Sequence, residues 1–373
     1  MTKKSRTALR ARDFGINIGR YPSGGHNAIT DVRGVRVGHV TLSHGSGRMK
    51  PGRGPVRTGV TVIIPAAGDL WRSKLAAGSF VLNGNGEAAG LMWLAESGVL
   101  ETPIAFTNTL NVGDVQAAMV DYMLSKYPRI GISDDTMTPV VMECDDSTLN
   151  DIRGRHVKRR HVLSALENAS PGSVAEGGVG AGTGMVTYEF KGGIGTSSRR
   201  LPRKAGGYTV AVLLNSNHGK RHQLRVNGVA VGLEITDLKP LEWKDGSITV
   251  AVATDAPLDS RQLSRLAKRA MLGVVRTGAV SMHSSGDVAM AFSTANRVAH
   301  RPVKPVHKLS LLSDFFIDPL FEAAADAAEE AVLNSMLAAR TSVGRDGNTI
   351  YAIPHDRLRL LLAGAAGLKA VKK

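Results

Sequence analysis

The chain has little of several things, and each shortage narrows its class. It carries one cysteine, Cys144, in 373 residues, which excludes an intrachain disulfide framework. Aromatic residues make up only 5%, too few within the basic clusters to interleave with them as a nucleic-acid surface would require. No helix-turn-helix, zinc-finger or RNA-recognition signature is present. No run of about 18 apolar residues offers a membrane span. The N-terminal stretch MTKKSRTALRAR is basic but lacks the apolar centre of a secretory signal. A cytoplasmic location with no membrane partner is the simplest expectation. No histidine completes a ligand set beside the acidic residues, so neither a metal nor an organic cofactor is expected.

What is present is a packed core. Hydrophobic residues reach 43%, and 42 glycines accompany abundant alanine and valine, a mixture suited to close sheet and helix packing with sharp turns. The net charge of +15 is concentrated at 3–20, 153–160, 199–204 and 220–225. Such clusters attract phosphates or acidic surfaces, but without aromatics or a motif they read as solvated loops. Nucleic acid is therefore not an expected partner, although a basic polyanion-binding protein that has lost catalysis remains an alternative.

Residues 1–15 read as a disordered basic tail, leaving 16–373 as a single domain. Alternation in ITDVRGVRVGHVTL (29–42) predicts two short strands about a turn. Further strands are expected at 58–65, 104–107, 140–143 and 208–214, with helices at 91–100 and 115–124. The glycine-rich run GGVGAGTG (177–184) lacks the Gly-Lys-Ser/Thr ending of a P-loop and the spacing of a dinucleotide fingerprint. It reads as close backbone packing around a strand at 185–190. Asn227-Gly228 is the best hairpin signal. SITVAVAT (247–254) reads as a strand. A helix capped by Asp259 or Ser260 follows, with its apolar face on Leu263, Leu266, Ala267, Ala270, Met271 and Val274. A strand at 288–293 and a helix at 318–339 complete the pattern, which points to an αββα layering.

The candidate chemistry centres on DGSITVAVA (245–253). Gly246-Ser247 opens a buried-looking strand, unlike the Gly-Ser steps at Gly45, Gly78 and Gly172. A serine needs a base to become nucleophilic. His218 and His283 are nominal triad partners, but no G-x-S-x-G elbow surrounds Ser247. If the Gly246-Ser247 bond breaks instead, Ser247 gains an α-amine of pKa about 7.7 to 8.0 to serve as its own base. A structural serine at a strand start is the plain alternative. In HSSGDVAMAFSTAN (283–296), Ser285 and Asp287 form either a hydroxyl-carboxylate relay or a polar turn. In NSNHG (215–219), asparagine amides suit an oxyanion, worth roughly 3 to 4 kcal/mol elsewhere, or else a turn. In ECDD (143–146), the carboxylates suit a substrate ammonium group, or else pair with Arg153 and Arg155.

Together these segments resemble the L-aminopeptidase/D-esterase (DmpA-type) family, which includes the β-peptidyl aminopeptidases. The resemblance rests on NAITDVRGVRVGHVTL, RTGVTVIIPAAG, NGNGE (83–87), TNTLNVG (107–113), ECDDSTLND, NSNHG, DGSITVAVATDAP, RTGAV and SGDVAMAFSTAN, in family order from about residue 13 to 297. It implies an N-terminal nucleophile hydrolase with an αββα sandwich, of the type shared with ornithine acetyltransferase. Self-cleavage would give an α chain, 1–246, and a β chain, 247–373. The resemblance makes Ser247 the nucleophile, matches Ser285 and Asp287 to a serine-acid pair, and gives Asn217 rather than Asn215 the oxyanion. Many relatives carry Glu where Asp287 stands, which shortens the reach here. Asn215 stays with the substrate-binding group. Glu143 corresponds to the carboxylate near the substrate amine. The expected substrates are small peptides, amino-acid amides or esters with a free N-terminal amine, acted on by a homo-oligomer of processed αβ units. One departure stands out: no aromatic lies between Glu143 and Asp151, where some relatives have one. Acyl transfer to an amine is a second enzyme reading, opposed by serine where that group uses threonine.

Overall fold

Alternating small and β-branched residues bury a strand on both faces, and here they build two stacked sheets. The computed structural model describes residues 8–243, 246–306 and 308–371, with side chains to 365. The first half of the chain supplies β1 (Arg36–His44), β2 (Val56–Ile64), β3 (Ser73–Gly84), β4 (Ala88–Ala89), helix α1 (Leu91–Ser97), β5 (Val99–Leu100), β6 (Ile104–Thr107), α2 (Val112–Lys126), β7 (Val140–Glu143) and α3 (Arg159–Glu167). Then come a small hairpin, β8 (Val186–Thr187) and β9 (Phe190–Lys191), the strands β10 (Gly193–Arg200) and β11 (Thr209–Ser216), and the one-turn α4 (Val231–Glu234). The last third carries β12 (Ile248–Thr254), α5 (Ser260–Arg276), β13 (Gly286–Ala299), α6 (Asp318–Leu337), the pair β14 (Ser342–Val343) and β15 (Thr349–Ile350), and α7 (His355–Val371).

One sheet runs β1-β2-β6-β7-β4 and the other β10-β11-β12-β13-β3-β5. Ile63, Phe106 and Met142 meet Leu213, Ala251, Met290 and Phe292 between them. On the outer face of the first sheet, Val60 and Val62 pack on Val115 and Met119 of α2 and Val162 of α3. On the outer face of the second, Val210, Val212, Val250 and Val252 pack on Leu263 and Leu266 of α5 and Ala324 and Ala328 of α6. The result is the expected αββα sandwich, in which each large apolar side chain buried is worth roughly 1.5 to 3 kcal/mol. β12 lies antiparallel to β11 and parallel to β13, with Ile248 opposite Asp287. That pairing decides the site, because it sets the starts of β12 and β13 side by side.

Several expectations change in detail. Residues 1–7 of the expected tail lie outside the described residues. The remainder is packed: Ala11–Phe14 forms a 3-10 turn, Ala11 is buried, and its N–H donates to Asn334 Oδ1 at 2.8 Å. The stretch 29–42 holds one strand rather than two, because the Asp31 carboxylate accepts from the His26 and Ala28 amides and folds that end into a 3-10 turn. The helix at 91–100 stops at Gly98, φ 69°, and β5 follows. The strand at 185–190 is the β8–β9 hairpin, turned by Tyr188 and Glu189 at φ 52° and 60°. Asn227 and Gly228 do make a positive-φ turn, but it joins a single bridge, Val226 to Val229, rather than two strands. The glycine-rich run packs closely as expected. Lys191 is buried beneath it and donates to the carbonyls of Gly182, Met185 and Gly192 at 3.0, 2.8 and 2.8 Å.

Candidate active site

Four strand ends converge at one edge of the sandwich. Ser247 immediately precedes β12, Ser285 and Asp287 flank the first residue of β13, Asn215 and Asn217 sit at the end of β11, and Glu143 ends β7 of the facing sheet. All six are buried, Ser247 at 5% exposure.

Backbone groups fix Ser247 from both sides. Its Oγ accepts from the Gly286 N–H at 3.1 Å. Its carbonyl oxygen accepts from the Asn217 N–H at 3.0 Å and from Cys144 Sγ at 3.4 Å. Gly286 can approach because it has no side chain: a Cβ there would crowd the Asn85 carbonyl. Gly246 is equally constrained, since a Cβ there would overlap the Asn217 carbonyl oxygen and lie 2.5 Å from Asn217 Nδ2. The residue before the serine is therefore glycine for steric reasons, and the Asn217 amide lies beside it.

Ser285 Oγ donates to Asp287 Oδ1 at 2.6 Å, while Asp287 Oδ2 is buried with no hydrogen-bond partner among the described residues. Burial pushes the Asp287 carboxyl above its ordinary pKa, with the Ser285 hydrogen bond opposing. Asn217 is held by two bonds, Oδ1 accepting from the Val186 N–H and Nδ2 donating to the Asp145 carbonyl, each at 2.8 Å. Asn215 differs. Among the described residues its whole amide is buried without a hydrogen-bond partner, as is the Thr249 hydroxyl across the strand pair. Glu143 Oε1 accepts from the Glu87 N–H at 3.0 Å and Oε2 from Thr109 Oγ1. Burial raises its pKa, with those hydrogen bonds opposing. Next to it, Asp146 is pushed up to about 7 by burial among Thr58, Asn108 and Asn150. Glu143 and Asp146 are thus interior and Asp145 is half-buried, and Arg155 pairs instead with Asp114.

Neither histidine completes a triad. His218 is buried edge-on to Tyr188, meets Ser216 Oγ at 3.2 Å, and is pushed down to about 3 by burial. His283 is exposed. Among the described residues, no group of three or more His, Cys, Asp or Glu side chains is arranged to hold a metal, and no helix is long and apolar enough to cross a membrane. Sequence reasoning missed two contributors, the Gly286 N–H and the Cys144 thiol. The first is a backbone donor with no side-chain signature. The second was legible only as a residue beside Glu143.

Comparison with known proteins gives the family and the fold. A family model, peptidase family S58, matches residues 27–350. The β-peptidyl aminopeptidase BapA of Sphingosinicella microcystinivorans is 42% identical over 379 residues, covering 97% of this chain and 94% of that protein. Among solved structures, a β-aminopeptidase from Burkholderia sp. is 44% identical with a TM-score of 0.89, covering 95% of this chain and 99% of that one. The L-aminopeptidase D-Ala-esterase/amidase of Ochrobactrum anthropi, described as a variant of the Ntn hydrolase fold, is 40% identical with a TM-score of 0.88, covering 96% and 99%. Nothing in these matches favours the acyltransferase or the polyanion-binding alternative. With its sandwich and most of its length matched, the chain belongs to peptidase family S58 and is a hydrolase.

Proposed function

We propose that this protein is an aminopeptidase that uses Ser247 as an N-terminal nucleophile on short amides, esters and peptides bearing a free amine. The observation that carries the reading is the meeting of Ser247 with Gly286, Asn217 and the Ser285–Asp287 pair at one strand edge. Processing comes first. Ser247 Oγ attacks the Gly246 carbonyl, the acyl group moves from nitrogen to oxygen, and water cleaves the ester into chains 1–246 and 247–373. Ser247 then carries a free α-amine.

In each turnover that amine takes the hydroxyl proton as Oγ attacks the substrate carbonyl. Asn217 Nδ2, which lies beside Gly246, turns from the Asp145 carbonyl to the developing oxyanion, exchanging one acceptor for another. The α-ammonium returns its proton to the departing amine, and water hydrolyses the acyl-enzyme. Asp287, with one oxygen fixed by Ser285 and the other open, holds the α-ammonium in place. Glu143 receives the substrate ammonium by exchanging Thr109 or the Glu87 N–H for it. Asn215, whose buried amide has no hydrogen-bond partner among the described residues, belongs with the substrate-binding group. A homo-oligomer of processed units belongs to the same reading, and exposed Phe315 and Phe316 offer it apolar surface.

The test is turnover of alaninamide against N-acetylalaninamide, with mass analysis of a quenched reaction. The reading requires hydrolysis of the free-amine substrate only, and an acyl adduct on the 247–373 fragment. Equal turnover of both, or an adduct on 1–246, overturns it.

A further inference from the structure

Lys191 has no part in the chemistry above, and a buried ammonium calls for a reason. It lies on β9 at 1% exposure. Its three N–H donors meet three carbonyls, those of Gly182, Met185 and Gly192, at 3.0, 2.8 and 2.8 Å. Among the described residues no carboxylate pairs with it, and burial pushes its pKa down to about 7. The three carbonyls work against that, because a neutral amine would turn a lone pair toward one of them. Neutral donors could satisfy the same carbonyls with less desolvation, so packing alone does not explain a charge here.

The Met185 carbonyl shows what the charge acts on. It belongs to the same peptide group as the Val186 N–H, and that N–H donates to Asn217 Oδ1 at 2.8 Å. Asn217 Nδ2 donates in turn to the Asp145 carbonyl at 2.8 Å and lies beside Gly246. Ammonium, peptide and side-chain amide thus form one line in which each group donates to the next, with a positive charge at its head. In a buried line of this kind each hydrogen bond polarises its neighbour in the same sense. Lys191 draws electron density onto the Met185 oxygen, the Val186 N–H becomes a stronger donor, and the Asn217 amide hydrogens become more positive. The line also sets which way the amide faces, because an N–H holding Oδ1 leaves Nδ2 on the side of Gly246. Thr187 Oγ1 on the Ser216 carbonyl at 2.8 Å and the Tyr188 N–H on the His218 carbonyl at 2.7 Å lace the hairpin to the same strand end. We infer that Lys191 is a positioning residue for the oxyanion, orienting and polarising the Asn217 amide through the Met185–Val186 peptide. This role presupposes the Ser247 reading above and adds to it a fixed positive charge behind the oxyanion donor.

The experiment measures kcat and KM for alaninamide in the wild-type enzyme, Lys191→Met and Lys191→Gln, with intact mass showing that each chain is cut and thermal melting that it is folded. Methionine keeps the length and removes every donor, whereas glutamine returns a neutral one. Losing an oxyanion donor outright costs about 10²- to 10³-fold in kcat. Lys191 stands two hydrogen bonds behind that donor, so Lys191→Met should lower kcat by about 10-fold. KM should stay within about 2-fold, because Glu143 is untouched and the lost interaction strengthens only in the transition state. Lys191→Gln should recover part of the loss. In an Asn217→Ala enzyme that is still cut, adding Lys191→Met should change kcat by less than about 2-fold, since the line then ends short of the oxyanion. A Lys191→Met enzyme with wild-type kcat, a full loss on the Asn217→Ala background, or a KM that rises as kcat falls overturns the role and leaves the nucleophile standing. Failure of both single variants to fold or to be cut does the same, because Lys191 would then be structural. A wild-type chain that is never cut overturns the nucleophile and this role together.

Discussion

Glu330 on α6 and Asp287 at the start of β13 are both buried carboxylates in the last third of the chain, and the fold treats them in opposite ways. Around Glu330 every oxygen is used. Oε1 accepts from Arg12 Nε at 3.1 Å and Asn27 Nδ2 at 2.5 Å, and Oε2 accepts from Arg199 Nη2 at 2.7 Å. Burial would raise its pKa, but Arg199 and Arg12 outweigh that and hold it below the ordinary carboxylate range. Among the described residues Asp287 has one oxygen fixed by Ser285 and one with no close hydrogen-bond partner, no arginine offsets its burial, and burial outweighs the opposing contacts of Ser285, Ser281 and the Ile248 backbone, raising its pKa. Buried polar groups are nearly always satisfied, so the closed cluster reads as architecture. The open one, grouped with the unpartnered amide of Asn215 and the hydroxyl of Thr249, reads as a site kept ready for something that arrives later.

The comparison can be broken at several points. The largest effect is expected from Ser247→Ala. Turnover should fall by about 10⁴-fold or more while the melting temperature stays within a few degrees, and residual turnover near the wild-type rate would mean that Ser247 is not the nucleophile. Next is Glu330→Ala, which strands Arg199 in the interior without its partner. It should cost about 3 to 5 kcal/mol in denaturant unfolding, and a loss under about 1 kcal/mol would show that the cluster is not the structural member of the pair. Asp287→Asn should do the reverse, lowering kcat by about 10²-fold with stability unchanged or raised. A large loss of stability there would erase the distinction drawn between the two carboxylates.

The smallest effect is in the pH dependence, and its sign differs between the two. Asp287 has a raised folded pKa, so its contribution is fully present below the unfolded carboxylate pKa and is lost as pH rises through the folded value. Glu330 has a lowered one, so its contribution is present above the unfolded pKa and is lost as pH falls through the folded value. Asp287→Asn should therefore flatten the decline of melting temperature on the alkaline side of the carboxylate range. The wild type's acid-side decline, in contrast, should persist in that variant and be reduced in a folded Glu330→Gln. Slopes that move together in both variants would contradict the assignment.

The layering and much of the site were legible because β12 and α5 announce themselves through alternation and a capped apolar face. Asp259 accepts from the Gln262 N–H at 2.7 Å just where the cap was expected. β10 was not legible. Its Gly193 and Gly195 look like loop residues, yet a Cβ at Gly195 would strike the Ala331 carbonyl of α6, so close helix packing is what demands glycine there. Arg199 on the same strand looks like a surface charge until Glu330, far away in sequence, is brought against it. β3 was missed because its second half, Val81 to Gly84, turns outward into the NGNGE segment and breaks the alternation. At the site, Ser247, Ser285, Asp287 and Asn217 were legible as short motifs. Which backbone donors would hold them depends on the parallel pairing of β12 with β13, and no local pattern encodes that pairing.

The central claim is tested most directly by the intact mass of freshly purified wild-type protein beside Ser247→Ala. The account predicts two fragments in the wild type, residues 1–246 and 247–373, and one uncut chain in the variant. A single full-length chain in both would contradict it, because Ser247 would then have no α-amine to act as its base.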